Sequence, residues 1–126
     1  MSAQIRQVRP SDYQAVISVI DGWWGGRQMA GMLPRLFFEH FTGTSFAAER
    51  GGELAGFLVG LLSQSRPGEA YIHVVGVHPA ERGRGLGRQL YQHFFAAART
   101  RGAGGRTRLA RPGATGPGGR GSSSRS

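Results

Sequence analysis

The sequence predicts an α/β fold, a mixed sheet with helices packed on it, built as a single domain. Three observations carry that expectation. Apolar residues follow a helical period early in the chain and a strand-like pattern after residue 45. A Gly51-Gly52 pair divides two apolar runs, which marks a hairpin. Residues Val75 to Gly87 carry a β-branched run, a proline, a loop packed with Arg and Gly, and then the start of an amphipathic helix. At 126 residues, 39% of them hydrophobic and including 7 Phe and 2 Trp, the chain can bury one modest core.

Ile5 to Val8 suits a short first strand. Pro10-Ser11-Asp12 gives a helix start, with Ser11 or Asp12 as N-cap, because a short side-chain oxygen there can satisfy a free helix N–H. Tyr13, Val16, Ile17 and Ile20 follow at the spacing of one buried helix face. Gly22-Trp23-Trp24-Gly25-Gly26 breaks that helix. Leu33, Leu36, Phe37, His40 and Phe41 resume a helical period, and Pro34 is tolerated in a first turn. Ser45–Arg50 reads as a strand, Gly51-Gly52 as the turn, and Glu53–Gln64 as the return strand. Ser65-Arg66-Pro67-Gly68 is a second turn and Glu69–Val77 a third β-run. Leu86, Leu90, Phe94, Ala97 and Ala98 then mark a helix ending near Arg101-Gly102. The predicted order is β-α-α-β-β-β-loop-α.

Composition narrows the chemistry. With no Cys there is no disulfide and no thiolate metal site, and His40 and Glu39 lack partners at a metal-ligand spacing, so no metal is expected. No apolar run approaches the ~20 residues of a membrane span, and the first residues lack a signal-peptide apolar stretch, so no membrane partner and a cytoplasmic location are expected. The net charge of +9 is uneven: residues 1–100 hold 10 Arg and all 7 acids, whereas residues 101–126 hold 6 Arg and no acid. All 16 basic residues are Arg, and Asn is absent too, a bias expected of a GC-rich gene.

Residues 102–126 contain 8 Gly, one large aliphatic side chain (Leu109) and no aromatic, so this tail is expected to be disordered. Three readings of it compete. An Arg/Gly tail can contact nucleic-acid phosphates, although it lacks aromatics for stacking bases. It can be a basic end without a role. It can also be the product of a frameshift or truncation after about residue 101, since out-of-frame GC-rich codons yield Arg, Gly, Ala, Pro and Ser.

The glycine loop discriminates among phosphate-binding motifs. A Walker loop needs a Lys, and this chain has none. A dinucleotide fingerprint needs its third Gly one step later than Gly83-x-Gly85-x-Gly87 provides. What stands here is Arg82-x-x-Gly85-x-Gly87, directly after a strand ending Val-Gly-Val-His-Pro. This resembles the acetyl-CoA signature (Q/R-x-x-G-x-G/A) of the GNAT superfamily of N-acetyltransferases, and the resemblance extends over roughly residues 4–101. Residues 1–101 are accordingly expected to be a partial domain of that fold, with its C-terminal elements missing.

The resemblance implies acetyl-CoA as co-substrate and transfer of its acetyl group to a primary amine of a small molecule or peptide. Backbone amides from Arg82 through Gly83, Arg84, Gly85, Leu86 and Gly87 would cradle the pyrophosphate, with Arg82, Arg84 and Arg88 adding charge-assisted contacts. Backbone groups of Val75, Gly76 and Val77 would pair with the pantetheine arm, and Gly76 suits a bulge or the close approach of another backbone. Base candidates share one face of the last strand: Glu69, Tyr71 and, as first choice, His73, whose alternative is simply to fill a half-buried strand face. The general acid has no assignable residue, since Tyr91 fits packing. Trp23, Trp24 and Arg27 lie where the family shapes its acceptor pocket, although a Trp there also suits a core plug. Two other functions remain in play, a non-catalytic acyl-CoA-binding remnant and an Arg/Gly-tailed nucleic-acid binder. An unpaired sheet edge would favour a homodimer.

Overall fold

The computed structural model describes residues 3–102 and 106–109. The first strand, β1 (Gln4–Gln7), leads into helix α1 (Asp12–Trp23). Ser11 holds the N-cap position without a side-chain cap bond. Asp12 ties the helix start to the preceding chain: its Oδ2 accepts the Arg9 N–H at 2.7 Å, and its carboxylate accepts two hydrogen bonds from Arg6 at 2.8 and 2.9 Å. The helix runs through Gly22 and stops where Gly25 and Gly26 take φ of +70° and +89°, a conformation that favours glycine. A 3₁₀ turn (Ala30–Met32) follows, and then a short helix, α2 (Leu36–His40), starting later than the predicted Leu33 because Pro34 lies just ahead of it.

The sheet contains β1, β2 (Phe46–Arg50), β3 (Glu53–Leu62), β4 (Glu69–Val77) and β5 (Arg106–Leu109), in that spatial order. Neighbours from β1 to β4 are antiparallel, and β5 pairs parallel to β4. Gly51 and Gly52 take φ of +63° and +85°, the two positive values that a tight hairpin turn requires. Between β4 and β5 runs helix α3 (Leu86–Thr100).

Helices cover both faces of the sheet. On one face Val16, Ile20 and Trp23 of α1 pack with Ala47, Phe57, Val59 and Val74. On the other, Leu86, Leu90, Phe94 and Ala98 of α3 pack with Ala48, Leu58, Ala70 and Ile72. The i, i+4 spacing on α3 and the two-residue alternation on β3 make this division automatic. On β4 the alternation breaks: Val59 pairs with Val74 and Gly60 with Ile72, so His73 is an extra residue and forms a β-bulge. Ala70 and Ile72 therefore face α3, whereas Val74 faces α1.

Strand β5 corrects the expectation of disorder throughout 102–126. Arg106–Leu109 pairs with Glu69–Ile72, so one element beyond α3 is present where none was predicted. Composition reports apolar burial alone, whereas strand addition also gains from the backbone groups along the exposed edge of β4. The remainder of that predicted tail, including the bulk of its Arg and Gly, lies outside the described residues.

Candidate functional site

The site is assembled where β4 hands over to α3. The strand's last registered contact is the His78 N–H to the Ala55 carbonyl at 2.9 Å. A 3₁₀ turn (Pro79–Glu81) follows, closed by the Glu81 N–H donating to the His78 carbonyl at 2.8 Å and capped by the Ala80 N–H donating to His78 Nδ1 at 2.9 Å. Arg82 then folds back. Its Nε donates to the Val77 carbonyl at 3.2 Å and its Nη2 to the Trp23 carbonyl at 2.8 Å, tying the loop to the end of β4 and the end of α1.

Gly83 and Gly85 take φ of +82° and +84°, so both need the glycine backbone. Gly85 is the N-cap of α3, and its carbonyl accepts the Gln89 N–H at 3.1 Å. The N–H groups of Leu86, Gly87 and Arg88 thus have no partner within the helix and point out of its positive end. A Cβ at Gly87 would touch only Val77 Cγ2, at 3.8 Å, which leaves this surface low and open. Arg84 and Arg88 are exposed on either side of it. A run of free amides with two exposed cations beside it in sequence suits a phosphate-bearing ligand.

Beside the loop lies an open strand edge. Because His78 bonds Ala55, the alternation of an antiparallel ladder directs the backbone groups of Gly76 toward Phe57 and those of Val75 and Val77 away from β3. Strand β5 pairs only with Glu69–Ile72, so among the described residues no strand covers Val75–Val77 on that side. The Val77 carbonyl is taken by Arg82, which leaves the Val75 N–H and C=O and the Val77 N–H directed along the open edge.

The sequence candidates around this edge fall into different environments. Gly76 presents its backbone to β3, and the bulge falls at His73. What demands glycine at 76 is aromatic packing: a Cβ there would sit 2.8 Å from the Phe57 ring and 2.9 Å from Trp24. Trp23 and Trp24 are buried core residues, Trp23 stacked on Phe57 with centroids 5.7 Å apart. The Trp24 Nε1 is buried without a partner among the described residues. Arg27 is exposed in the loop after α1. Arg82, expected to meet a phosphate, bonds two carbonyls.

His73 is half-buried, with Nε2 bonded to the Met32 carbonyl at 2.5 Å and its ring stacked on Phe37 at 4.6 Å. It holds the segment between α1 and α2 against the bulge. Glu69 stands six residues before Val75, roughly 20 Å away along an extended strand. Tyr91 is half-buried on α3, and burial pushes its hydroxyl pKa up.

Two site features escaped the sequence pattern. Asp21 Oδ1 accepts the Met29 and Ala30 N–H groups at 2.7 and 2.9 Å and so shapes the loop after α1. Glu81, in the turn before Arg82, is paired with Arg50 of β2 at 2.8 Å, and this guanidinium holds its carboxyl below the usual range. No periodicity signals either one, since each pairs residues on different elements or bonds backbone. Among the described residues no group of three or more His, Asp or Glu is placed to hold a metal ion.

Known proteins resemble this chain in sequence and in fold. L-2,4-diaminobutyric acid acetyltransferase of Nocardia farcinica is 40% identical over 60 residues, 48% of this chain and 31% of that protein. The N-alpha-acetyltransferase RimI of Mycobacterium tuberculosis is 38% identical over 61 residues, 48% of this chain and 36% of that one. These matches span about a third of the length of either relative. Among solved structures, the diaminobutyrate acetyltransferase of Paenibacillus lautus, in complex with L-2,4-diaminobutyric acid and coenzyme A, superposes with a TM-score of 0.66 at 19% identity. That alignment covers 80% of this chain and 61% of that one. The sequence profile of the acetyltransferase (GNAT) family matches residues 13–114, which take in α1, both sheet faces and the whole glycine loop; the chain belongs to that family.

Proposed function

We propose that the chain acts as an N-acetyltransferase domain that binds acetyl-CoA and acetylates a primary amine. The observation that carries this reading is the adjacency of two unsatisfied backbone surfaces, the amide-rich start of α3 and the open Val75–Val77 edge. The first suits a pyrophosphate and the second an extended, amide-bearing arm. Acetyl-CoA supplies an activated acyl thioester when bound. The amides of Gly83 to Arg88 and the exposed Arg84 and Arg88 hold the anionic end. The Val75 and Val77 N–H groups align the arm and offer a hydrogen bond to an oxygen on which charge develops. Arg82 keeps the two surfaces in fixed relation through Val77 and Trp23.

His73 is adjacent to the open edge, and a base role there falls to Nδ1, because Nε2 is held by Met32. Glu69 is too far along the strand for direct proton transfer at Val75–Val77. That commitment of His73 also favours the second reading, a domain that binds an acyl-CoA without turning it over. Relatives named for diaminobutyrate and for N-alpha-acetylation direct the choice of acceptors to try.

Calorimetric titration with acetyl-CoA, followed by a thiol-release assay, tests both readings. The expected result is saturable binding, abolished by Gly85→Val, and thiol release that depends on L-2,4-diaminobutyrate or on a peptide with a free α-amine. Binding without amine-dependent release supports the second reading. No heat of binding overturns both.

A further inference from the structure

The segment from His78 to Arg88 holds three arginines and a single acid, Glu81. A carboxylate beside an anion-binding loop repels the ligand unless its charge is compensated. Arg50 provides the compensation from 31 residues away in sequence: its Nε donates to Glu81 Oε2 at 2.8 Å. The pair is largely shielded, with the Glu81 side chain 12% exposed and that of Arg50 29%. The other oxygen of Glu81, Oε1, is buried with no donor among the described residues, so Arg50 is the direct partner of the carboxylate, with Arg84 and His78 acting on its charge at longer range.

Position adds to the electrostatic argument. Arg50 is the last residue of β2, next to the Gly51-Gly52 turn, and Glu81 closes the 3₁₀ turn one residue before Arg82. Arg50 therefore holds the loop from the β2–β3 hairpin, while Arg82 holds it to β4 and α1. Gly83 and Gly85, which have no side chains to fix them, begin immediately after this doubly tethered turn.

We propose that Arg50 is a positioning residue for the pyrophosphate loop, neutralising Glu81 and anchoring the turn from which the glycine backbone departs. This rests on the acetyl-CoA reading above. Arg50 has no place in the Arg82-x-x-Gly85-x-Gly87 signature, so the loop's anion affinity depends on a residue outside its own motif.

The test is calorimetric titration of CoA into the unaltered chain and into R50Q, R50K, E81Q and R50Q/E81Q, each with its thermal melt recorded. Loss of one partly screened charge interaction predicts a Kd on the order of ten-fold weaker for R50Q. R50K, which restores the charge, is expected to recover most of that loss, as is R50Q/E81Q, which removes the charge left exposed. E81Q keeps an acceptor for Arg50 and is expected to bind CoA at least as tightly as the unaltered chain. Pantetheine, which carries no phosphate, serves as the control, with its binding followed by NMR shifts and expected to be unchanged in R50Q. An R50Q affinity within two-fold of the unaltered chain overturns the proposal, as does a double variant no better than R50Q or an equal loss of pantetheine binding. If R50Q does not fold, E81Q and R50Q/E81Q decide, since CoA binding by E81Q weaker than that of the unaltered chain, or binding by the double variant weaker by about ten-fold, overturns it. Failure of the unaltered chain to bind CoA removes the acetyl-CoA reading as well, whereas failure of these variants alone removes only the role of Arg50.

Discussion

Three glycines near the site separate residue-level demands that a sequence motif merges. Gly85 is required by its φ of +84°, Gly76 by two aromatic rings at 2.8 and 2.9 Å from any Cβ, and Gly87 by neither. Overpacking at a site this tight costs about 1–3 kcal/mol, so Gly76→Ala is expected to lower unfolding stability by that amount. Gly87→Ala, whose Cβ meets only Val77 at 3.8 Å, is expected to leave stability within about 0.5 kcal/mol. Urea denaturation of the two variants checks both. The glycine loop itself was legible because positive φ and close backbone approach leave glycine as the workable residue. The bracing contacts of His73 were not: a histidine on a strand face has the same sequence pattern whether or not its ring also bonds the Met32 carbonyl and stacks on Phe37.

At the scale of elements, β4 is the part that the sequence described best in extent and least in behaviour. Its bounds, Glu69–Val77, are those the β-branched run predicts. The bulge at His73 was hidden, because an extra residue leaves no mark in a run whose neighbours are all apolar. The consequence for the backbone is measurable by hydrogen exchange. The Gly76 amide, directed at Phe57, is expected to exchange slowly, whereas those of Val75 and Val77, directed along the open edge, exchange fast. Saturating acetyl-CoA is expected to protect Val75 and Val77 selectively. Equal protection of all three in the free chain would contradict the edge assignment. Strand β5 escaped notice because four residues of alternating Arg, Thr, Arg and Leu have little to recommend them apart from the edge they complete.

Across the whole molecule, two helix layers share one sheet, and a small polar cluster joins the outermost parts. Arg6 of β1 bonds Asp12 at the start of α1 at 2.8 Å and Glu49 of β2 at 2.8 Å. Asp12 is held below its ordinary pKa of 3.8, first by the Arg6 hydrogen bond and then by the Arg9 N–H, with burial opposing. A carboxyl whose folded pKa is lowered contributes its stabilisation above the unfolded value, and that contribution is lost as pH falls through the folded value. Thermal stability is therefore expected to be flat, as far as Asp12 is concerned, from neutral pH to about 5, and to decline below about 4. Asp12→Asn is expected to reduce the low-pH slope and to lower stability at pH 7; melts across that range test it. The layer order was readable from hydrophobic period alone, because burial on a face imposes that period. This cluster was not, because charges paired across three elements carry no spacing.

The partly covered edge of β4 has a further thermodynamic meaning. On the acetyl-CoA reading, a ligand arm laid along Val75 and Val77 would act as a substitute strand, so ligand occupancy and sheet completion would become one equilibrium. Any ligand that binds only the folded chain adds RT ln(1 + [L]/Kd) to its stability, about 2.7 kcal/mol at a hundred-fold excess over Kd. The abundance of folded protein in a cell would then track the supply of its acyl donor. The cost of leaving a strand edge bare would be met by the substrate.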